Sequence, residues 1–164
     1  MTLTSFNTQT PAEAGATLKP CADIPRWIDA IVESRPFANE QELLGFAGQA
    51  ANPWTEAEID GALKHHPRIG DRAEGESAEA GFSRREQSGV DTSDDTAQAL
   101  LQGNRAYEEK FGRVFLIRAA GRSAEEILTA LQKRLNNTPG GELPIIAGQL
   151  REIAILRLKG ALES

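Results

Sequence analysis

The chain has 164 residues, of which 40% are hydrophobic and 26% are charged, so it is long enough for one globular domain with a hydrophobic core and short for two. Its formal net charge is −6, without a long block of one sign, which argues against a nucleic-acid binder with a basic face. Cys21 is the single cysteine, which excludes an intramolecular disulfide and a thiolate metal cluster built from one chain.

Almost every periodic segment of the chain has the spacing of a helix. In chain order, the predicted helices are a short one at Pro11–Leu18, one through Ile24 and Ile31 that ends at Pro36, one capped by Asn39, and one that runs from Thr55 to Pro67. The last of these opens with Thr55-x-x-Glu58, the capping-box pattern in which each side chain bonds the backbone N–H of the other residue. We expect residues 1–10 to be loosely ordered.

Residues 70–92 are polar and glycine-rich, and they form the least regular predicted part of the chain. The remaining predicted helices are one that Thr92 or Ser93 caps and Gly112 ends, one that opens with the capping box Ser123-x-x-Glu126, and one from about Leu143 to Lys159. Between them, Val114–Ile117 is a short apolar run that could be extended. The sequence therefore predicts an all-α, single-domain bundle over residues 1–164, with about seven to eight helices and one short extended segment.

The only two histidines are adjacent, in the stretch LKHHPRIGDR. On the predicted helix, Ile59, Leu63 and His66 share one inward stripe, whereas His65 is rotated away by about 100° and faces outward. Adjacent helical residues cannot face one ion, so we predict no metal site here. Two interpretations of His66 stay open: a core histidine that bonds a backbone carbonyl, and a group that acts as acid and base in catalysis.

A second candidate is SRREQ, at Ser83–Gln87. Ser83-x-x-Glu86 has the spacing of a capping box and so favours the start of a helix. The functional interpretation is that Glu86 and Gln87 offer hydrogen bonds to a polar substrate from that helix start, where an anion is also favoured. Spacing alone favours the cap.

A third candidate is FLIRA, at Phe115–Ala119. An apolar run is usually part of the core, and that is the ordinary interpretation here. If the segment is extended and unpaired, however, its N–H and C=O groups need other partners, which a ligand rich in ureide or amide groups could supply.

Arg157 is the fourth candidate, because it falls on the apolar stripe of the last helix, seven residues after Leu150. An arginine on a buried face is costly unless it is paired. It could snorkel near the helix end or pair with a carboxylate of the core. Alternatively, its planar guanidinium group could anchor a substrate anion.

Taken in order and at their spacing, these pieces resemble the family of 2-oxo-4-hydroxy-4-carboxy-5-ureidoimidazoline (OHCU) decarboxylases, in its bacterial branch. The matching stretches are RPF at 35–37, HPRIGD at 66–71, SRREQSG at 83–89, GNRAYEEKFGRVFLIRAAGRSAEEIL at 103–128 and LREIAILRL at 150–158. The resemblance covers the chain from about residue 20 to residue 159. It implies an all-α, cofactor-free enzyme without a metal, commonly a homodimer, which converts OHCU to (S)-allantoin and CO2 in urate breakdown.

The resemblance also assigns roles to residues. It implies that His66 is the acid–base group, that Glu86 takes part in catalysis, and that Arg157 orients an anionic or carbonyl oxygen. The substrate-binding residues that it implies are Pro67, Ser83, Arg84, Arg85, Glu86, Gln87, Phe115, Leu116, Ile117, Arg118, Ala119 and Arg157. Among these, Glu86 and Gln87 are expected to hold the ureido arm, and the backbone of Phe115–Ala119 is expected to hold the ring amides.

Two other function classes stay open at this stage: a hydrolase of a related ureide or imidazoline, and a non-catalytic all-α interaction module. Residues 1–20 lack the charged and apolar regions of a signal peptide, and no run of 18 consecutive apolar residues occurs. We therefore expect a cytoplasmic protein that does not bind a membrane, and the net charge argues against nucleic acid as a partner. The family resemblance implies a small-molecule ureide as the ligand.

Overall fold

The computed structural model describes residues 1–70, 78–88 and 93–163, with the side chains of residues 78 and 79 left out. The helices within these residues are α1 (Leu3–Thr8), α2 (Pro11–Leu18), α3 (Pro25–Glu33), α4 (Glu40–Ala50), α5 (Glu56–Leu63), α6 (Ala78–Glu86), α7 (Asp94–Phe111), α8 (Ala124–Arg134) and α9 (Pro139–Glu163). This part of the chain contains no strand, so the prediction of an all-α fold is confirmed.

Most of the predicted helix starts coincide with the caps in the structure. Asn39 caps α4 by accepting from the N–H of Glu42, and Ser93 caps α7 by accepting from the N–H of Thr96. Gly112 caps the C-terminal end of α7, and its φ of 71° lies in the left-handed region that favours glycine. These caps satisfy backbone groups that a helix end otherwise leaves without intrahelical partners.

Several predicted boundaries differ from the structure, among them those of the last helix, which spans Pro139–Glu163 and not about Leu143 to Lys159. Residues 1–10, which we expected to be loosely ordered, include α1, whose Phe6 is fully buried. Helix α5 ends at Leu63 and does not reach Pro67. The polar region 70–92 contains α6, while residues 71–77 and 89–92 lie outside the described part of the chain.

The chain separates into two compact units. The first unit comprises residues 1–62 and the residues from Leu150 onward, and the second comprises Leu63–Gln149. That residues 1–164 form one domain of the kind that the resemblance implies stays a prediction. In the described residues, no helix combines the length and the apolar character needed to cross a membrane.

The second unit contains three of the four candidate segments. Its core is made of the buried residues Ile69, Leu100, Tyr107, Phe115, Ile117, Ala119, Ala124, Ile127 and Leu131. Helices α7 and α8 approach closely there, because a Cβ on Gly103 would lie only 2.5 Å from Cδ2 of Leu131. A side chain at residue 103 would require Leu131 or its helix to shift, which explains a glycine inside a helix where it costs stability.

Candidate active site

The histidine pair follows the end of α5. Ile59, Ala62 and Leu63 are buried, as the helical stripe predicted. His66 stands beyond the helix, and its backbone N–H donates to the carbonyl of Leu63 at 3.1 Å. The prediction that His66 extends the helical stripe is therefore wrong. His66 is nevertheless more buried than His65, as predicted, because His65 is exposed and His66 is half-buried.

Helix α7 holds the loop that begins at His66. The amide Nδ2 of Asn104 donates to the carbonyl of Ile69 at 3.0 Å, and Asn104 itself is buried. One turn further along α7, Glu108 accepts two hydrogen bonds from Arg68, at 2.6 and 3.0 Å. The hydrogen bonds from Arg68 hold the pKa of Glu108 below its ordinary value. The loop is thus fixed at two successive residues.

SRREQ lies at the C-terminal end of α6, not at its start. Helix α6 begins at Ala78 and ends at Glu86, so Ser83-x-x-Glu86 is not a capping box. The prediction of an anion-binding helix start at Ser83 is wrong for the same reason. Arg84 and Arg85 fall in the last turn, where positive charge suits the helix dipole. Ser83 is buried, whereas Glu86 is half-buried.

Gln87 joins two of the predicted segments. Its Oε1 accepts a hydrogen bond from the backbone N–H of Gly70 at 3.1 Å. Gly70 has a φ of +97°, which residues with a side chain rarely adopt. Because the carbonyl oxygen of the Gln87 amide is engaged by Gly70, its NH₂ group is the part of the amide that can donate to another molecule.

The segment Phe115–Ala119 is neither helix nor strand. All of its residues except Arg118 are buried, and Phe115, Ile117 and Ala119 share the core with Ile69 of the histidine loop. The structure thus brings together the three candidate segments that lie within the second unit. In the described part of the chain, no group of three or more His, Cys, Asp and Glu side chains is arranged to hold a metal ion.

Side chains from other elements bind several backbone groups of this segment. Arg134 donates from Nη1 to the carbonyl of Leu116 at 2.7 Å. Gln149 accepts from the N–H of Arg118 at 2.9 Å, and Arg122 donates from Nε to the carbonyl of Arg118 at 2.9 Å. Within residues 1–70, 78–88 and 93–163, the backbone N–H and C=O of Ile117 form no hydrogen bond. Ile117 is only 4% exposed, so both groups are also shielded from solvent.

Arg134 belongs to a buried ion pair that the sequence analysis missed. Its Nη2 lies 2.7 Å from Oε2 of Glu142, which also accepts from the hydroxyl of Tyr107, and Oε1 of Glu142 accepts from Nδ2 of Asn137 at 3.1 Å. Burial opposes ionisation of Glu142, but the hydrogen bonds from Arg134, Tyr107 and Asn137 outweigh it and hold its pKa below the ordinary value. Burial, followed by the hydrogen bond to Glu142, raises the pKa of Tyr107.

A sequence signal for Arg134 existed. Ile127 and Leu131 are fully buried on α8, and Arg134 follows at the next position of that stripe. The same reasoning singled out Arg157 on the last helix. Asn104 and Glu108 lay inside the matched stretch 103–128, but nothing in their spacing indicated that they hold the histidine loop.

Arg157 lies in the first unit, apart in sequence from the other candidates. It is 3% exposed, and its Nη1 donates to the carbonyl of Pro20 at 2.8 Å. Its head group therefore does not snorkel to solvent. Ile146, Leu150, Ile153, Ala154 and Leu158 of the predicted stripe are buried, as expected.

Comparison with known proteins gives one consistent result. The model of the OHCU decarboxylase family matches residues 7–159. The 2-oxo-4-hydroxy-4-carboxy-5-ureidoimidazoline decarboxylase of Amia calva is 31% identical over 144 residues, which are 82% of this chain and 78% of that protein. The uric acid degradation bifunctional protein TTL of Arabidopsis thaliana is 39% identical over 102 residues, which are 59% of this chain and 31% of that protein.

A solved structure agrees with these relatives. A crystal structure of OHCU decarboxylase in the presence of (S)-allantoin superposes with a TM-score of 0.77 at 29% identity, and the match covers 91% of this chain and 99% of that one. The family match includes all four candidate segments, from His66 to Arg157. The chain belongs to the OHCU decarboxylase family.

Proposed function

We propose that this chain decarboxylates OHCU to (S)-allantoin and CO2, at a site built from the loop after α5, the end of α6 and the segment Phe115–Ala119. Membership of the family supports the reaction. The observation that carries the placement is the hydrogen bond from Gly70 to Gln87, since it joins the histidine loop to SRREQ. Ile69 then connects the same loop to Phe115–Ala119 through their common core.

The substrate sets three tasks. One ring carbon of OHCU carries both the carboxylate and a hydroxyl group, and the ring is unsaturated. When the bond to the carboxylate breaks, CO2 leaves and the electron pair of that bond passes into the ring. The hydroxyl proton is removed, one proton is delivered to one face of the neighbouring ring carbon, and a second proton, taken from solvent, neutralises the ring nitrogen that received the electron pair. The site must therefore orient the carboxylate, accommodate the developing charge and transfer protons.

His66 is assigned the proton transfers. Its neutral imidazole accepts the hydroxyl proton as the carbon–carbon bond breaks, and the resulting imidazolium returns a proton to the ring. Catalysis of this kind typically contributes about 10²–10⁴-fold to the rate. His66 suits this role because it is half-buried in a loop that Asn104, Glu108 and Gln87 fix from two sides.

SRREQ is assigned the ureido arm. Its end of α6 presents the half-buried carboxylate of Glu86 as an acceptor for the N–H groups of that arm. The NH₂ of Gln87 donates to the ureido oxygen, because Gly70 occupies the other end of the amide. Ser83, Arg84 and Arg85 complete the segment that the resemblance assigns to the substrate.

We assign the binding of the substrate ring to the main chain of Phe115–Ala119. A buried N–H and C=O without partners are uncommon in proteins, because leaving them unpaired costs free energy. Among the described residues, the buried backbone N–H and C=O of Ile117 are both without a hydrogen-bond partner. A ring amide of the substrate offers one acceptor and one donor, which together would satisfy the two groups.

Arg157 is assigned an anionic or carbonyl oxygen of the substrate. Its guanidinium group is buried, and the hydrogen bond to Pro20 fixes its orientation. A planar donor fork of this kind suits a carboxylate. Arg157→Met should therefore fold and lose turnover, and an unchanged kcat and KM would remove Arg157 from the site.

The reaction is tested by a coupled assay that starts from urate. Freshly generated OHCU is mixed with the pure protein, and CO2 release and optical rotation are followed together. Faster formation of (S)-allantoin with equimolar CO2 is expected. Consumption of OHCU without CO2 would instead indicate a hydrolase of a related imidazoline.

The role of His66 is tested in the same assay. His66→Asn should keep the melting temperature and lower kcat by about 10²-fold or more. His65→Asn is the matched control, since it changes the neighbouring exposed ring and should leave kcat unchanged. Near-normal turnover of the His66 variant would exclude it as the acid–base group.

Two further properties belong to the same proposal. The family resemblance supports a homodimer, which light scattering on the purified protein tests directly. A cytoplasmic location fits a chain whose single cysteine, Cys21, is buried and whose fold needs no disulfide. Fractionation of cells that express the tagged chain tests the location.

A further inference from the structure

Two peptide groups on either side of Ile117 are held by side chains from other elements. The Leu116–Ile117 peptide bond is trans, so the carbonyl of Leu116 and the N–H of Ile117 point in opposite directions. Arg134 holds that carbonyl, and the N–H of Ile117 therefore points away from Arg134. In the next peptide group, Gln149 holds the N–H of Arg118, so the carbonyl of Ile117 points away from Gln149.

We infer that Arg134 and Gln149 are positioning residues that orient the backbone N–H and C=O of Ile117 toward a ligand edge carrying one acceptor and one donor. A cyclic ureide or lactam, with a C=O beside an N–H, is the chemical class that fits this pair. The inference rests on the proposed function, because it assigns the ring of the substrate to this segment. Arg134 and Gln149 act through the backbone and do not touch the substrate.

The cost of the buried ion pair supports a role beyond stability. The side chain of Arg134 is 8% exposed and that of Glu142 is 1% exposed. Burying such a pair removes both groups from water, so it often contributes little net stability compared with apolar residues of the same size. Apolar residues in these two positions could not donate a charged hydrogen bond to the carbonyl of Leu116, as Arg134 does at 2.7 Å.

The surroundings of Arg134 restrict its guanidinium group to one orientation. Its Cζ lies 4.6 Å from the ring centroid of Phe115, and its Nε and Nη2 are both bound to Glu142. Nη1 is left to bind Leu116. The segment has no helix or strand to fix its peptide groups, so this orientation is set by side chains.

The test removes both charges of the pair at once. Arg134→Met with Glu142→Gln avoids a single uncompensated buried charge. We expect KM for OHCU and the dissociation constant of (S)-allantoin to rise by about tenfold, as for the loss of one hydrogen bond, with kcat lowered less. Arg26→Met with Glu58→Gln is the matched control, because Arg26 also binds a glutamate twice and a backbone carbonyl, that of Pro53.

A second variant tests the other side of Ile117. Gln149→Met removes the acceptor for the N–H of Arg118 and should raise KM and the dissociation constant in the same way. Gln149→Glu keeps an acceptor oxygen and should restore both values. A merely structural role would lower the melting temperature without this rescue. Gln149 is half-buried, so its variants remain informative if the buried double variant does not fold.

The outcomes separate this inference from the proposed function. If the wild-type chain does not turn over OHCU, the proposed function fails, and the assay of the wild type shows this before any variant is made. If the wild type is active, the variants decide. The positioning role of Arg134 and Gln149 is overturned if Gln149→Met and the folded double variant both bind (S)-allantoin as tightly as the wild type. A loss of affinity that Gln149→Glu reverses supports it.

Discussion

Ser83–Glu86 and Ser123–Glu126 share the same Ser-x-x-Glu spacing but stand at opposite ends of their helices. Ser123 starts α8, where its hydroxyl accepts from the N–H of Glu126, and Glu126 accepts from the N–H of Ser123. Ser83 lies in the second half of α6, and Glu86 is the last residue of that helix. In α8 the glutamate satisfies the backbone of its own helix start. In α6 the helix start lies at Ala78, so the glutamate has no such task.

This difference suggests how to separate a structural from a functional carboxylate. A glutamate bound to its own N-cap is accounted for by local folding, as Glu126 is. Glu86 has the same spacing and lacks that local role, while its neighbour Gln87 is tied to the histidine loop. Substitution should therefore change stability at α8 and turnover at α6.

The largest expected effect is on turnover at Glu86. Glu86→Gln keeps the size of the side chain and removes the charge that is expected to bind the ureido arm, so kcat/KM should fall by about a hundredfold while the melting temperature stays unchanged. Steady-state kinetics with OHCU and a thermal melt measure both. Glu126→Gln is the control and should leave kcat unchanged. A Glu86 variant that melts several degrees lower and keeps its turnover would give the carboxylate a structural role.

Gln87 sharpens the same comparison with a smaller effect. Gln87→Met removes both the acceptor for Gly70 and the donor for the ureido arm, so KM should rise by about tenfold. Gln87→Glu keeps the acceptor and loses only the donor. If the two variants bind (S)-allantoin equally weakly, the donor carries the effect. If Gln87→Glu binds as the wild type does, Gln87 serves the loop and not the substrate.

Local patterns predicted most of the fold. Asn39, Ser93 and Ser123 cap helices where the sequence placed them, because a cap depends on residues within one turn. The same local reasoning was wrong for Ser83. Its spacing fits a cap, but nothing within four residues of it shows that α6 has already begun at Ala78.

The partners of the site could not be predicted in this way. Leu116 is held by Arg134 and Arg118 by Gln149, which are separated from them by 18 and 31 residues. Such contacts depend on how helices pack, and helical phase within one element carries no information about them. His66 shows the same limit, since helical phase stops applying where α5 ends at Leu63.

A third prediction tests the structural side of the comparison. Ser123→Ala removes the hydroxyl that accepts from Glu126, and the loss of a cap of this kind costs about 1 kcal/mol of unfolding free energy. For a chain of this length the melting temperature should drop by about 2–4 °C. Chemical denaturation and calorimetry measure the change, and kcat should equal that of the wild type. A loss of turnover at unchanged stability would contradict the assignment of α8 as scaffold.

The smallest expected effect is in the acid stability that Glu126 provides. Hydrogen bonds from the backbone and side chain of Ser123 hold the pKa of Glu126 below its ordinary value of 4.5. A carboxylate whose pKa is lower in the folded state stabilises the protein above its unfolded pKa, and that contribution is lost as the pH falls through the folded value. The stability gap between the wild type and Glu126→Gln should therefore be constant near pH 7 and close below about pH 4.5. Glu125→Gln controls for the loss of one charge in the same helical turn. A gap that stays constant down to pH 3 would show that the cap does not depend on the charge of Glu126, and the contrast with Glu86 would then rest on hydrogen bonding alone.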